Sequence, residues 1–158
     1  MTITESDLTA ARKAWGDALI SISAAFELDG IDAASAVAGD ALDTAYGYNL
    51  GSVLFNPTLA SGEQTFRTTR EGALAYFVGH SDKYPLDGGF GIKGWKKVEY
   101  TTAASFIDGD VAMWMGWVTF TDKDGGVLTV DKSWGYQLDD ARALRIVLHH
   151  SSLRYVPD

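Results

Sequence analysis

The chain has no cysteine among its 158 residues, and no more than three prolines and three histidines. Without thiols there is no disulfide framework, no thiolate nucleophile and no sulfur-ligated zinc or iron–sulfur site. Basic residues are also scarce: 13 Lys and Arg stand against 21 Asp and Glu, a net charge of -8. Holding a phosphate backbone or an anionic membrane surface needs a basic face, so neither nucleic acid nor membrane is expected as a partner. No apolar run approaches the ~18 residues of a membrane span. The opening "MTITESDLTAARKAW" carries acids where a secretory leader carries bases, which gives a cytoplasmic expectation. The three histidines form neither an H-E-x-x-H motif nor an i,i+4 pair, so they do not spell out a metal site.

What is present is a core-forming composition, 46% hydrophobic and 12% aromatic with five tryptophans, enough to line a pocket as well as fill a core. The length suits one domain, and 1–158 is read as a single unit without repeat or linker. Thr4 or Ser6 caps a helix running to about Phe26, because Leu8, Ala11, Trp15, Leu19, Ile22 and Phe26 recur every three or four residues on one face. An Ala-rich helix follows from Ile31 to about Thr44. "YGYNLGSVLFNPT" reads as a strand stopped by Pro57, and "TTREGALAYFVGH" as a third helix entered from a threonine cap. The period then changes to two over "WKKVEYTTAASFI", "DVAMWMGWVTFT", "GVLTVDKSWGYQL" and "ALRIVLHHSSLRY", with turn signals between them. Helices followed by an antiparallel meander make an α+β fold, in which the helices cover one face of a curved sheet. A cone closed in this way leaves a pocket where the first strand, the third helix and the last strand meet.

Most chemical motifs are weak. "GGFGIKGW" lacks the spacing of a phosphate loop, and "DKDGG" lacks the glutamate that completes a calcium loop and reads as a hairpin turn. The informative run is "HHSS" at 149–152. Successive strand residues face opposite ways, so His149 and His150 cannot both enter one pocket. The alternation groups His149 with Val147, Ser151 and Leu153. At about 3.3 Å per residue, His149 and Ser151 lie roughly 6.6 Å apart along the strand, a span that one small molecule bridges.

"LFNPT" at 54–58, "EGALAYF" at 71–77 and "HHSSL" at 149–153, in this order on a helices-then-meander chain, resemble the iota-class carbonic anhydrases. This family is related to the kinase association domain and the wider NTF2-like cone fold. One departure is visible: Arg154 stands where the family pattern has proline. The resemblance implies a cone in which N-terminal helices pack on a mostly antiparallel sheet, and reversible hydration of carbon dioxide to bicarbonate. It implies hydroxyls at Thr58, Tyr76 and Ser151 on the substrate, with His149 beside them as the proton acceptor, directly or through a hydroxyl relay. It further implies that no metal is needed, zinc or manganese being the alternative. Tyr48 and Trp114 are expected to supply an apolar wall for carbon dioxide.

Two other readings stay open at this stage. Cone-fold isomerases and cyclases use a pocket carboxylate as base, for which Asp40, Asp43 and Glu99 are available. Association-type domains use the same fold only to assemble, and an outer sheet face bearing Trp117 or Trp134 would serve. A homodimer is expected under either reading.

Overall fold

A computed structural model describes residues 2–158. Helix α1 spans Glu5–Asp29 and starts from Thr4, whose hydroxyl accepts the Asp7 amide while the Asp7 carboxylate accepts the Thr4 amide. This reciprocal cap satisfies two amides that the first turn leaves free. The helix runs three residues past the expected end, to Asp29, and Gly30, with a φ of 85°, turns the chain directly into α2, Ile31–Ala45. Helix α3, Arg70–Val78, is capped by Thr69 through the Gly72 amide.

The sheet consists of β1 Leu54–Asn56, β2 Trp95–Asp108, β3 Val111–Asp122, β4 Val127–Leu138 and β5 Leu144–Leu153, in the order β1-β5-β4-β3-β2. The last four strands form the antiparallel meander, and β1 joins its edge parallel to β5. The first strand is shorter than the sequence suggests. Gly47, Asn49 and Gly51 favour a turn, so Tyr46 makes only a lone bridge to Ile146 and regular pairing begins at Leu54. Between β3 and β4 the "DKDGG" segment is a hairpin turn, with the Asp122 side chain accepting the Asp124 and Gly126 amides.

One face of the sheet is packed. Ala112, Trp114, Val118 and Phe120 of β3 and Val130, Trp134 and Tyr136 of β4 are buried with Leu8, Trp15, Leu19 and Ile22 of α1. Burying a leucine such as Leu19 is worth about 1.5–3 kcal/mol, and these contacts hold α1 across the sheet. Bulges between Thr102 and Ala104 and next to Gly135 curve the strands into a cone. Glycine is required at 116, because a Cβ there would overlap the Thr101 carbonyl and lie 2.7 Å from the Trp114 ring. Trp134, expected as an outer-face contact, is fully buried, whereas Trp117 lies on the outer face. The alternation of β4 turns Trp134 toward α1 along with Val130 and Tyr136.

Candidate active site

β5 delivers the HHSS run, but a bulge changes its parity. Pairing steps from Gly135–Leu148 to Tyr136–Ile146, leaving Val147 without a partner on β4. Ile146, His149 and Ser151 therefore face inward and are buried, while Val147 is only half-buried and Leu153 is exposed. The expected grouping of His149 with Val147 fails for this reason, whereas Leu153, opposite Val130, keeps the register of His149 and Ser151 at the exposed end of the strand. His149 and Ser151 share the inner face as expected, and His150 points to solvent.

β1 sets Phe55 opposite His149 in register, and the two rings stack with centroids 4.5 Å apart. Beyond Asn56, Pro57 ends the strand and the chain brings Thr58 over β5, where its hydroxyl and that of Ser151 form a short hydrogen bond. Tyr76 arrives from α3. Its hydroxyl accepts the Leu59 amide at 3.2 Å and also hydrogen-bonds with Thr58. Burial raises the Tyr76 phenol above its ordinary value against the opposing pull of these bonds, so it is a neutral donor at any physiological pH. Three hydroxyls from three distant stretches thus meet: Thr58 and Tyr76 border one narrow cleft with His149, Phe55 and Phe90, and Ser151 joins them through Thr58.

Tyr48 and Trp114 stand elsewhere. Tyr48 donates to the Arg67 carbonyl at 2.8 Å, and its ring stacks on Tyr46. Trp114 donates to Thr102 at 2.8 Å beneath the Arg12 guanidinium, and the Trp134 ring lies between it and His149. The apolar wall of the cleft consists instead of Phe55, Phe90 and Trp15. Asp43 and Glu99 are exposed and paired with Arg70 and Lys97, and Asp40 is exposed as well, so none reaches the cleft as a base.

Behind the hydroxyls runs a buried polar chain that the sequence reading missed. The Trp15 indole donates to the Tyr46 hydroxyl at 3.0 Å, Tyr46 lies 2.8 Å from His149 Nδ1, and His149 Nε2 lies 2.8 Å from Lys132 Nζ. Burial, then the neighbouring Lys132 and His150, hold His149 well below the ordinary imidazole range. Burial lowers Lys132 to about 7, with Asp131 pulling the other way. Both imidazole nitrogens are occupied, one by a lysine, an arrangement unsuited to metal ligation. Among the described residues no group of three or more His, Asp or Glu is placed to hold an ion. The signal for Lys132 was present in β4, where the inward series Val130, Lys132, Trp134, Tyr136 sets a lysine among apolar positions.

With this geometry in view, comparison with known proteins is decisive. The family model described as "Metal-independent carbonic anhydrase" matches residues 6–153. The chain belongs to the metal-independent carbonic anhydrases. A relative of that name from Nostoc sp. is 54% identical over 153 residues, covering 97% of this chain and 75% of its own length. The crystal structure of a cyanobacterial iota-carbonic anhydrase complexed with bicarbonate superposes with a TM-score of 0.97 at 52% identity, over 99% of this chain and 95% of that one. A putative calcium/calmodulin-dependent kinase II association domain from Xanthomonas campestris, at 20% identity and a TM-score of 0.57 over 93% of this chain and 85% of that one, shares the fold alone. For a carbonic anhydrase of this family the cleft offers neutral hydroxyl donors, and no helix among the described residues is long and apolar enough to cross a membrane.

Proposed function

We propose that this carbonic anhydrase hydrates carbon dioxide reversibly on the cradle formed by Thr58, Tyr76 and Ser151, without a metal ion. The meeting of these three hydroxyls beside an aromatic wall carries the reading. Zinc enzymes lower the pKa of bound water by roughly nine units, which neutral hydroxyls cannot match in the ground state. The available route removes the proton only as the water attacks, so free hydroxide never accumulates. The cradle aligns the water on the carbon and donates to the oxygens that become negative as bicarbonate forms. His149 positions the site. Its imidazolium would be buried beside Lys132, which makes it a poor resting place for the proton. Chelator-treated protein is expected to retain its full rate in a stopped-flow carbon dioxide hydration assay. Loss of activity on chelation, restored by zinc or manganese, would refute the metal-free reading.

The same proposal extends to assembly. Val111, Met113, Met115 and Trp117 of β3 and Phe106 of β2 are all substantially exposed on the outer face of the sheet. A continuous apolar strip of this kind is costly in water, which supports a homodimer through this face. Sedimentation of the wild type as a dimer and of Met115→Lys/Trp117→Lys as a monomer is expected; a monomeric wild type would rule the interface out.

A further inference from the structure

Lys132 is a buried amine for which the cradle by itself has no use. It is 3% exposed, and its Nζ lies 4.9, 5.8 and 5.6 Å from the Trp15, Phe120 and Trp134 ring centroids. In the sheet register it stands directly opposite Ser151, so both side chains rise from neighbouring points on the inner face. It borders the same cleft as Thr58 and Tyr76.

The hydrogen-bond chain fixes its protonation. The Tyr46 oxygen already accepts the Trp15 N–H, and the phenolic proton has His149 Nδ1 as its partner. Nδ1 then accepts, Nε2 carries the imidazole proton, and that proton points at Lys132 Nζ. An ammonium has no lone pair to receive it. The arrangement that satisfies every buried group therefore has a neutral amine at rest.

We propose that Lys132 takes up the proton that leaves the reacting water, with His149 as the positioning residue that holds its amine at the cleft. The inference rests on the carbon dioxide hydration reading above. The water oxygen bonds to the carbon of CO₂, one C=O electron pair moves onto oxygen, and the water O–H bond breaks. Its proton goes to Nζ, giving bicarbonate and an ammonium with no net change in charge. The amine, a three-fold rotor, turns its lone pair from Nε2 toward the cleft to receive the proton. The three ring faces support the ammonium once formed, and buffer then removes the proton at the cleft mouth.

The groups facing Lys132 are Tyr46 at the end of α2 through His149, Tyr76 from α3, and His149 and Ser151 from β5. Asp131 next to it in sequence bonds Ser152 instead. Burial outweighs the pull of Asp131 and lowers the amine to about 7. Hydration should therefore fall as pH drops through about 7, where the base becomes protonated.

The test is stopped-flow hydration between pH 5.5 and 9 on wild type and Lys132→Met, with nuclear magnetic resonance titration of the lysine ε-carbons in the wild type. The rate is expected to drop by about 10²-fold or more in Lys132→Met and to lose its acid limb near 7, and one wild-type lysine should titrate at the pH of that limb. The variant removes a buried ionisable group, so its urea midpoint at pH 7 should equal or exceed that of the wild type. Three results would each overturn the assignment: a variant within threefold of wild type, a slower variant that keeps the limb, or no lysine titrating near 7. A wild type without hydration activity would instead remove the underlying reading, and this inference with it.

Discussion

Ser151→Ala and Thr58→Val are each expected to lower kcat/KM for carbon dioxide hydration by about 10²–10³-fold, the usual effect of deleting one preorganised donor that meets developing negative charge. The two hydroxyls share one hydrogen bond, so removing either leaves the other without its orienting partner. Their effects should consequently be far from additive: the double variant should lie within about tenfold of the worse single one, as for groups acting as a unit. Folding should survive, because each change deletes one polar atom from a site that keeps its aromatic packing around Phe55 and Tyr76. Rates from stopped flow, with urea midpoints as the folding control, decide the matter. Near-normal kcat/KM in both single variants would show that the cradle is not where the reaction takes place.

Arg67→Met should destabilise the protein by about 3–5 kcal/mol, lowering Tm by roughly 6–20 °C for a chain of this size. Arg67 and Asp87 are almost fully buried, at 2% and 4% exposure, and pair through two bonds of 2.6 and 2.7 Å. The same guanidinium donates to the Gln64 and Gly72 carbonyls at 2.7 and 2.9 Å and lies over the Tyr84 ring. It thereby ties the Thr58 loop and the start of α3 to the segment after α3. Removing the arginine leaves the Asp87 carboxylate buried without its cation, and that loss, more than the intrinsic worth of the pair, sets the size of the effect. Replacing both partners, Arg67→Met with Asp87→Leu, should recover most of the stability but not the placement of Thr58, so activity should stay low in a folded protein. Calorimetry on the single and double variants measures this; an unchanged Tm in Arg67→Met would contradict it.

Burial of Lys132 has a separate consequence for stability. The unfolded lysine titrates near 10.4 and the folded one near 7, so between these values the unfolded chain binds a proton that the folded chain does not. Stability contributed through this group rises with pH across that window and is lowest below it. The site thus retains an ionisable group that an apolar residue would improve on for folding alone.

Local rules determined much of this molecule. The 3.6-residue recurrence of Leu8, Trp15, Leu19 and Ile22, the threonine caps at 4 and 69, and the change to period two after Trp95 each carry their information within a few neighbours, so the α+β meander was legible in the chain. The run at 149–152 and its resemblance to the iota class pointed to Thr58, Tyr76, His149 and Ser151. Only the tertiary structure decided what surrounds them. The bulge at Val147 depends on how β5 meets β4, and the placement of Trp114 away from the cleft depends on β4 lying between its strand and β5. The chain from Trp15 through Tyr46 and His149 to Lys132 joins α1, the end of α2, β5 and β4. Hydrogen-bonded neighbours in it are as far as 103 residues apart, and no local pattern encodes such a meeting, because it exists only after the apolar faces have closed and excluded water.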